Sequence, residues 1–253
     1  MSDELMPQRE SSLFDGAEEV AKPKVKAPSL MDQFIGVFTE PTELFKKLNA
    51  APAWGWAAGA LTVSSLVLIV AWGLKVDVDA MMRPALEQNA QLSGTQIDQV
   101  IDFQTRFLMP LAILGVLFGT PFTLLLGALL RWVVGLGTAE AEKPTFMQAL
   151  SATSVSGLVM VPYALLTSLM CWVHKVGGLA PEKLSPTSVA FYLRPENPKL
   201  YGLYAQLDIF VLFGFVLVYL SSRHTLRLKA SGAAINTALG VLMVVVFKIL
   251  LAK

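Results

Sequence analysis

Long apolar runs separated by short polar connections make up most of this chain after residue 50. Five stretches contain no Asp, Glu, Lys or Arg, and they are residues 48–74, 107–130, 144–174, 209–222 and 230–247. A helix rises about 1.5 Å per residue, so about 20 apolar residues cross the roughly 30 Å hydrocarbon core of a bilayer. The pattern therefore predicts an all-α polytopic membrane helix bundle.

Five transmembrane helices are expected in a domain that covers residues 53–253. We predict the membrane spans at about residues 53–74, 107–134, 150–173, 203–222 and 233–251. The fourth span reaches the required length only by including Asp208 near its start, where a side chain can reach the membrane interface. Composition agrees, because 54% of the residues are hydrophobic and 15% are charged, against about 25% charged residues in an average soluble domain.

The polar region before the first span divides into two parts. Residues 1–29 are rich in Glu, Lys, Pro and Ser, which predicts a disordered cytoplasmic tail. Over residues 30–52, large apolar side chains recur at three- and four-residue spacing, which predicts an amphipathic juxtamembrane segment. Proline is tolerated in the first turn of a helix and poorly inside one. We therefore expect one helix to end near Thr39 and another to begin at Pro41.

The sequence leaves two positions open for this amphipathic segment. It can lie in the headgroup layer with its lysines toward anionic lipid, or it can cap the cytoplasmic ends of the spans by packing on its own bundle. The pattern supports packing at least as well as lipid binding. The residues predicted to lie at the membrane interface, here and before the fourth span, are Pro41, Phe45, Lys46, Lys47 and Asp208.

The orientation is predicted by a short basic loop between the last two spans. Residues 222–232 contain Arg223, Arg227 and Lys229 and no acidic residue, and short loops are where the positive-inside bias acts. We expect the N-terminus in the cytoplasm and the C-terminus on the opposite side. The N-terminus lacks a basic leader followed by an apolar core, so the first span is expected to serve as the insertion signal.

Small residues four positions apart predict close helix packing. Gly115 and Gly119 give the second span a flat patch that we expect to face another helix. Pro121 and Pro162 lie in the middle of spans two and three and are expected to kink them. The other sets with this spacing are Gly55 with Gly59, and Gly232 with Asn236 and Gly240.

The sequence contains little that predicts catalysis. Cys171 and His174 are three residues apart, but zinc needs three or four protein ligands, so we expect no metal site and no cofactor. Asp208 is interpreted as an acid near a helix start in preference to a coupling carboxylate. No Walker A loop, Gly-x-Ser-x-Gly elbow or His-Glu-x-x-His motif occurs. The net charge of +1 gives no basic face for nucleic acid.

Three groups of residues flank the predicted spans in a recognisable order. They are Phe38, Pro41, Phe45, Leu48 and Trp54; Lys143, Pro144, Thr145, Phe146, Gln148 and Pro162; and Leu207, Asp208, Ile209 and Phe210. Their order resembles the Yip1 family of five-span membrane proteins, from about residue 30 to the C-terminus. The resemblance implies a fold and a membrane location without a settled activity. The acidic and aromatic N-terminal motifs of the eukaryotic trafficking members are not recognised, which argues against small GTPases as partners and favours a bacterial-type relative.

These features together predict a non-enzymatic integral membrane scaffold or organiser of Yip1 type. Its expected partners are membrane lipids, and other membrane proteins or a second copy of itself. The expected location is the inner membrane of a bacterium, or the ER or Golgi membrane of a eukaryote. One alternative is a small channel or transporter lined by the kinked second and third spans, although the scarcity of intramembrane charge argues against ion coupling. Another is a membrane subunit of a larger enzyme.

Overall fold

The regular elements of the protein are α-helices and one short 3-10 helix in the part of the chain that the structure describes. The computed structural model describes residues 26–88, 92–140, 142–195 and 197–251, with the side chains of the last helix described as far as Met243. The predicted tail at residues 1–29 lies almost entirely outside these residues. In chain order the helices are α1 Leu30–Thr39, α2 Pro41–Ala50, α3 Gly55–Gly73, α4 Val78–Glu87, α5 Gly94–Thr138, α6 Phe146–Gly157, α7 Met160–Val173, the 3-10 helix Pro181–Leu184, α8 Val189–Leu193, α9 Pro198–Gln206, α10 Ile209–His224 and α11 Ala230–Leu251.

Three of these helical runs are long and apolar enough to cross a membrane. They are α3, α5 and the continuous run of α6 with α7, which covers Phe146–Val173. The helix α10 and the Ala230–Met243 part of α11 are apolar but have fewer than 18 residues. The predicted class, an all-α membrane helix bundle, is confirmed, whereas the count of five spans stays a prediction.

Two of the expected spans differ from the helices that are present. The run predicted at 203–222 is not one helix, because α9 ends at Gln206 and α10 begins only after its N-cap, Asp208. The third span continues from α6 into α7 through a distorted turn at Leu158 and Val159. This turn begins four residues before Pro162. Proline has no N–H to donate to the Leu158 carbonyl, and its ring crowds that carbonyl. Pro121, in contrast, lies inside α5 without ending the helix.

The chain runs back and forth between two ends of the bundle. At the first, which we call the α2 end, Asn49 donates its side-chain N–H to the Thr225 carbonyl (2.7 Å), and Gln148 donates to the Asn49 carbonyl (2.8 Å). At the second, the α9 end, the Trp72 indole donates to the Leu179 carbonyl (2.8 Å). The connections α5–α6 and α10–α11 also meet at the α2 end, where Ala139 pairs with Leu228.

The amphipathic segment is part of the largest hydrophobic core. The helices α1 and α2 begin and end as predicted around Thr39 and Pro41. Phe45 is fully buried, so α2 packs on its own bundle, and the predicted place of Phe45 at the depth of the membrane interface stays a prediction. This core joins α1 and α2 to α3, α6 and α10 through Val37, Leu44, Phe45, Leu48, Ala57, Val155, Leu158 and Leu217.

Candidate functional site

A buried arginine, Arg131, lies inside the apolar part of α5. Its side chain is 5% exposed. It precedes the last residue of the helix, Thr138, by about two turns, which places it about 10 Å from the helix end. Charged side chains are costly to bury inside a membrane bundle, and they are therefore candidates for a functional role.

The guanidinium group of Arg131 is surrounded by hydroxyl and carbonyl groups. Its Nη2 donates to the Val218 carbonyl (3.2 Å), to Ser222 Oγ (3.2 Å) and to Ser221 Oγ. Its Nη1 has only a 3.5 Å contact with Thr153 Oγ1, and its Nε has no hydrogen-bond partner in the described part of the chain. No carboxylate among the described residues forms an ion pair with it. Within the described residues, the positive charge is therefore buried without a counter-charge.

The serines next to Arg131 belong to a hydrogen-bonded cluster that joins four helices. Ser156 of α6 shares a hydrogen bond with Ser221 of α10 (2.9 Å between the Oγ atoms). Asn236 of α11 donates to Ser222 Oγ (3.2 Å). All of these side chains are buried. The spacing of Asn236 predicts a helix-packing role, and the structure places its amide between α11 and α10.

A cavity of about 630 Å³ extends from this cluster toward the α9 end. Its volume lies in the range of small-molecule binding sites. Polar groups line its two ends: Arg131, Thr153, Ser156 and Asn236 at one, and Glu182 and Gln206 at the other. The wall between them is mainly apolar and includes Leu124, Val159, Met160, Val211, Phe215 and Leu239. We call this space the Arg131 cavity.

Glycines determine where α5 and α11 approach each other beside the cavity. A Cβ on Gly232 would lie 2.5 Å from the Cβ of Thr138, so these helices touch near the α2 end and a larger residue does not fit. A Cβ on Gly240, two turns further along α11, would meet nothing within 4 Å, and Gly240 lines the cavity. The space next to Gly240 is therefore empty of described helices.

The expected contact of Gly115 and Gly119 with another helix is wrong for the part of the chain that the structure describes. A Cβ on either residue would meet no atom within 4 Å, and the same holds for Gly55 and Gly59. Gly127 does face a neighbour, because an added Cβ would lie 3.2 Å from Thr153 Cγ2. Four-residue spacing identifies residues on one helix face without saying which face meets a partner.

Three of the four predicted interfacial residues of α2 lie in its first turn or on its outer face, and they are Pro41, Lys46 and Lys47. Pro41 is the first residue of the helix, where its missing N–H has no partner to lose. Lys46 pairs with Glu43 at 2.7 Å, and this hydrogen bond holds the pKa of Glu43 below its usual value. Lys47 is also exposed. The outer face of α2 is thus charged.

Asp208 is fully buried at the start of α10. Its carboxylate accepts hydrogen bonds from the Phe210 N–H (2.9 Å), from Ser185 Oγ (2.8 Å) and from Thr187 Oγ1 (2.6 Å). The favoured interpretation of Asp208 as an acid at a helix start agrees with this N-cap. The Asp208 side chain does not contact lipid headgroups, because the connection that contains Ser185 and Thr187 covers it.

Cys171 and His174 have separate surroundings. The Cys171 thiol donates to the Thr167 carbonyl (3.3 Å), and the His174 ring lies edge-on to the Phe191 ring with centroids 5.9 Å apart. No three His, Cys, Asp or Glu side chains in the described residues lie close enough together to hold a metal ion.

A family model decides the assignment of this bundle. The model of the Yip1 domain matches residues 35–252. The chain belongs to the Yip1 family. The match includes α2, Arg131 and the Arg131 cavity, and it confirms the resemblance inferred from the sequence. Searches of curated proteins and of solved structures gave no match.

Several residues that carry the Yip1 resemblance fix the start of α6. The Gln148 N–H donates to Thr145 Oγ1 (3.2 Å), and the Thr145 N–H donates to Gln148 Oε1 (2.8 Å), which completes a capping box. The carbonyl of Pro144 accepts the indole N–H of Trp132 (3.0 Å). In this Yip1 domain, the segment from Pro144 to Gln148 therefore connects α6 to α5 through Trp132 and to α2 through Asn49.

Arg131 is the functional candidate that the sequence analysis misses. The predicted second span at 107–134 contains Arg131, but the sequence alone assigns it no role. A signal was available, because residues 132–137 after it are uncharged and largely apolar, which places Arg131 inside the helix. Its serine and asparagine neighbours are distant in sequence, so only the packing of α10 and α11 brings them to it.

Proposed function

We propose that this Yip1-family protein is a non-enzymatic organiser of the membrane that contains it. The observation that carries the proposal is the two-sided character of α1. Its inner face is buried in the bundle through Gln33 and Val37. On its outer face, Met31 and Ile35 are 65% and 51% exposed.

The exposed apolar residues of α1 form one stripe. Met31, Ile35 and Phe38 follow each other at four- and three-residue spacing, so they lie on the same side of the helix. A stripe of this kind is unfavourable in water and favourable among lipid acyl chains. The Phe38 ring also stacks on Phe213 of the apolar helix α10, with centroids 6.0 Å apart. We infer that α1 lies against lipid while the charged outer face of α2 faces water.

The bundle fixes the depth of α1 in the membrane. Because α2 is anchored by buried side chains and by its hydrogen bonds to Thr225 and Gln148, α1 is held at one end of the bundle and displaces lipid in one leaflet. The membrane affinity of such interfacial helices depends on curvature and lipid composition. The proposed activity is therefore the sorting of this protein into curved membrane, or the stabilisation of that curvature.

The proposal is tested by reconstituting the full chain into vesicles of mixed diameter and measuring the protein density on each vesicle. We expect the unmodified protein to be enriched on small vesicles. The double substitution Met31→Glu with Ile35→Glu should remove the enrichment, because charged side chains do not enter the acyl region.

A matched control keeps α1 intact and changes the outer face of α2. The double substitution Glu43→Gln with Lys46→Gln leaves the net charge unchanged and should retain the enrichment. Melting temperatures in detergent identify any variant that fails to fold. Equal enrichment of the unmodified protein and a folded α1 variant would contradict the proposal.

We do not propose the channel alternative. The helices α5, α6 and α7 line the Arg131 cavity, as that alternative requires. Yet its wall is mainly apolar, and among the described residues the charged side chains that line it are Arg131 and Glu182, at opposite ends. This lining gives no continuous polar path for a hydrophilic solute.

A further inference from the structure

We propose that the Arg131 cavity binds one anionic membrane lipid, with the lipid headgroup on Arg131 and an acyl chain along the apolar wall. This site is separate from the α1 face that carries the proposed function. It rests on an unpaired buried charge, on free donor groups and on the shape of the cavity.

The charge of Arg131 is the first part of the argument. A cation buried without a partner is strongly destabilising. The nearby acidic residues of the α5–α6 connection pair with other arginines, since Glu140 lies 2.6 Å from Arg223 and Glu142 lies 3.8 Å from Arg227. No described carboxylate is thus available to Arg131, and a bound anion that is not part of the chain can neutralise its charge.

The donor geometry is the second part. Arginine has five N–H donors in a planar arrangement that suits phosphate oxygens. The partners Ser221, Ser222 and Val218 all bond to Nη2, whereas Nε has no partner and Nη1 has only the long contact to Thr153. The Nε atom is closed off by protein atoms, so Nη1 is the donor group that remains for a headgroup at the end of the cavity that Arg131 and Asn236 line.

The cavity wall favours a lipid over a free anion. From Arg131 to Thr123, both of which line the cavity, α5 advances about 12 Å, and the wall over this distance is mainly apolar. The acidic Glu182 lies at the far end, so the charges orient an anionic amphiphile with its head at Arg131. Basic pockets between membrane helices are known to hold lipid headgroups.

The test measures lipid binding to the full chain in mild detergent, by native mass spectrometry and by melting temperature. The probes are phosphatidylglycerol, phosphatidylcholine with the same acyl chains, and inorganic phosphate. We expect phosphatidylglycerol to bind and raise the melting temperature more than phosphatidylcholine, and inorganic phosphate to have no comparable effect.

Two variants locate the bound lipid. Arg131→Gln keeps a hydrogen-bonding side chain without the charge and should weaken phosphatidylglycerol binding about tenfold, to the level of phosphatidylcholine. Gly240→Phe fills the apolar part and leaves Arg131 in place, so it should reduce phosphatidylglycerol binding even if the Arg131 variant does not fold. Gly115→Phe is the matched control, because Gly115 also has open space but does not line the cavity.

Several outcomes would overturn the proposal. Equal binding of the two lipids would show that Arg131 is satisfied by its serines. Equal stabilisation by inorganic phosphate would show a site for free anions. Unchanged lipid binding by Gly240→Phe, or equal losses in Gly240→Phe and Gly115→Phe, would place the lipid elsewhere. The Met31→Glu and Ile35→Glu variant should keep the lipid preference, so failure of the proposed function is distinguishable from failure here.

Discussion

Single glycines set the distance between helices at the α2 end of the bundle. A Cβ on Gly135 of α5 would lie 2.5 Å from Cγ of Pro144, and a proline ring has little freedom to move away. A Cβ on Gly119 of the same helix would meet nothing within 4 Å. Both residues are glycines of the same helix, so a difference in stability between their alanine variants reflects what lies next to each one.

We expect Gly135→Ala to destabilise the protein and Gly119→Ala to leave it unchanged or stabilise it. Overpacking at Pro144 should lower the free energy of unfolding by about 1–3 kcal/mol. At the open position, alanine raises helix propensity by roughly 0.5–1 kcal/mol. Melting temperatures of the two variants in mild detergent provide the comparison. Similar changes at both positions would mean that the α5 and Pro144 contact is absent.

At the scale of elements, Asp208 determines where α10 begins. It caps the helix through the Phe210 N–H and binds the hydroxyls of Ser185 and Thr187 from the preceding connection. One carboxylate therefore ends the irregular segment at the α9 end and starts the next apolar helix. A carboxylate accepts all three hydrogen bonds at once, which a neutral side chain of the same size does less well.

The expected order of stability at this position is Asp208, then Asn, then Ala. Asp208→Asn keeps an N-cap acceptor but replaces one oxygen with a donor group. Asp208→Ala removes the cap, which typically lowers the free energy of unfolding by about 0.5–2 kcal/mol. It also leaves the hydroxyls of Ser185 and Thr187 without their acceptor. Thermal unfolding in detergent measures the order. If the alanine variant melts with the unmodified protein, the connection is held by other contacts.

At the scale of the whole molecule, the two ends of the bundle differ in their connections. The α2 end gathers the amphipathic segment with the α5–α6 and α10–α11 connections, and the pair Arg223–Glu140 joins the two connections. Glu140 does not weaken the orientation prediction from the basic loop at 222–232, because the positive-inside bias depends on lysine and arginine and not on net charge. The count of five spans stays a prediction, because three helical runs are long and apolar enough to cross a membrane while α10 and the Ala230–Met243 part of α11 are shorter.

Reporter fusions test this topology. A reporter placed after residue 50 should lie in the cytoplasm, and one placed after residue 253 should lie on the opposite side, because an odd number of crossings separates them. A reporter after residue 229 should agree with the one after residue 50. If residues 50 and 253 report the same side, one of the two shorter helices, α10 or α11, does not cross.

The sequence by itself determined the class of this protein and most of its helices. Uncharged apolar runs of span length have few stable states other than membrane helices, and the change of helix at Thr39 and Pro41 follows from local backbone restrictions. The Yip1 assignment also came from the order of local features. All of these depend on residues that are close together in the chain.

Only the tertiary structure decided which faces of the helices meet. Gly115 and Gly119 have the spacing of a packing face and meet no described neighbour, whereas Gly232 meets Thr138. Arg131 becomes a candidate site because α6, α10 and α11 bring hydroxyl and amide groups to it without an acid. Spacing fixes the side of a helix on which a residue lies, but the rotation and partners of that helix depend on contacts between residues far apart in the sequence.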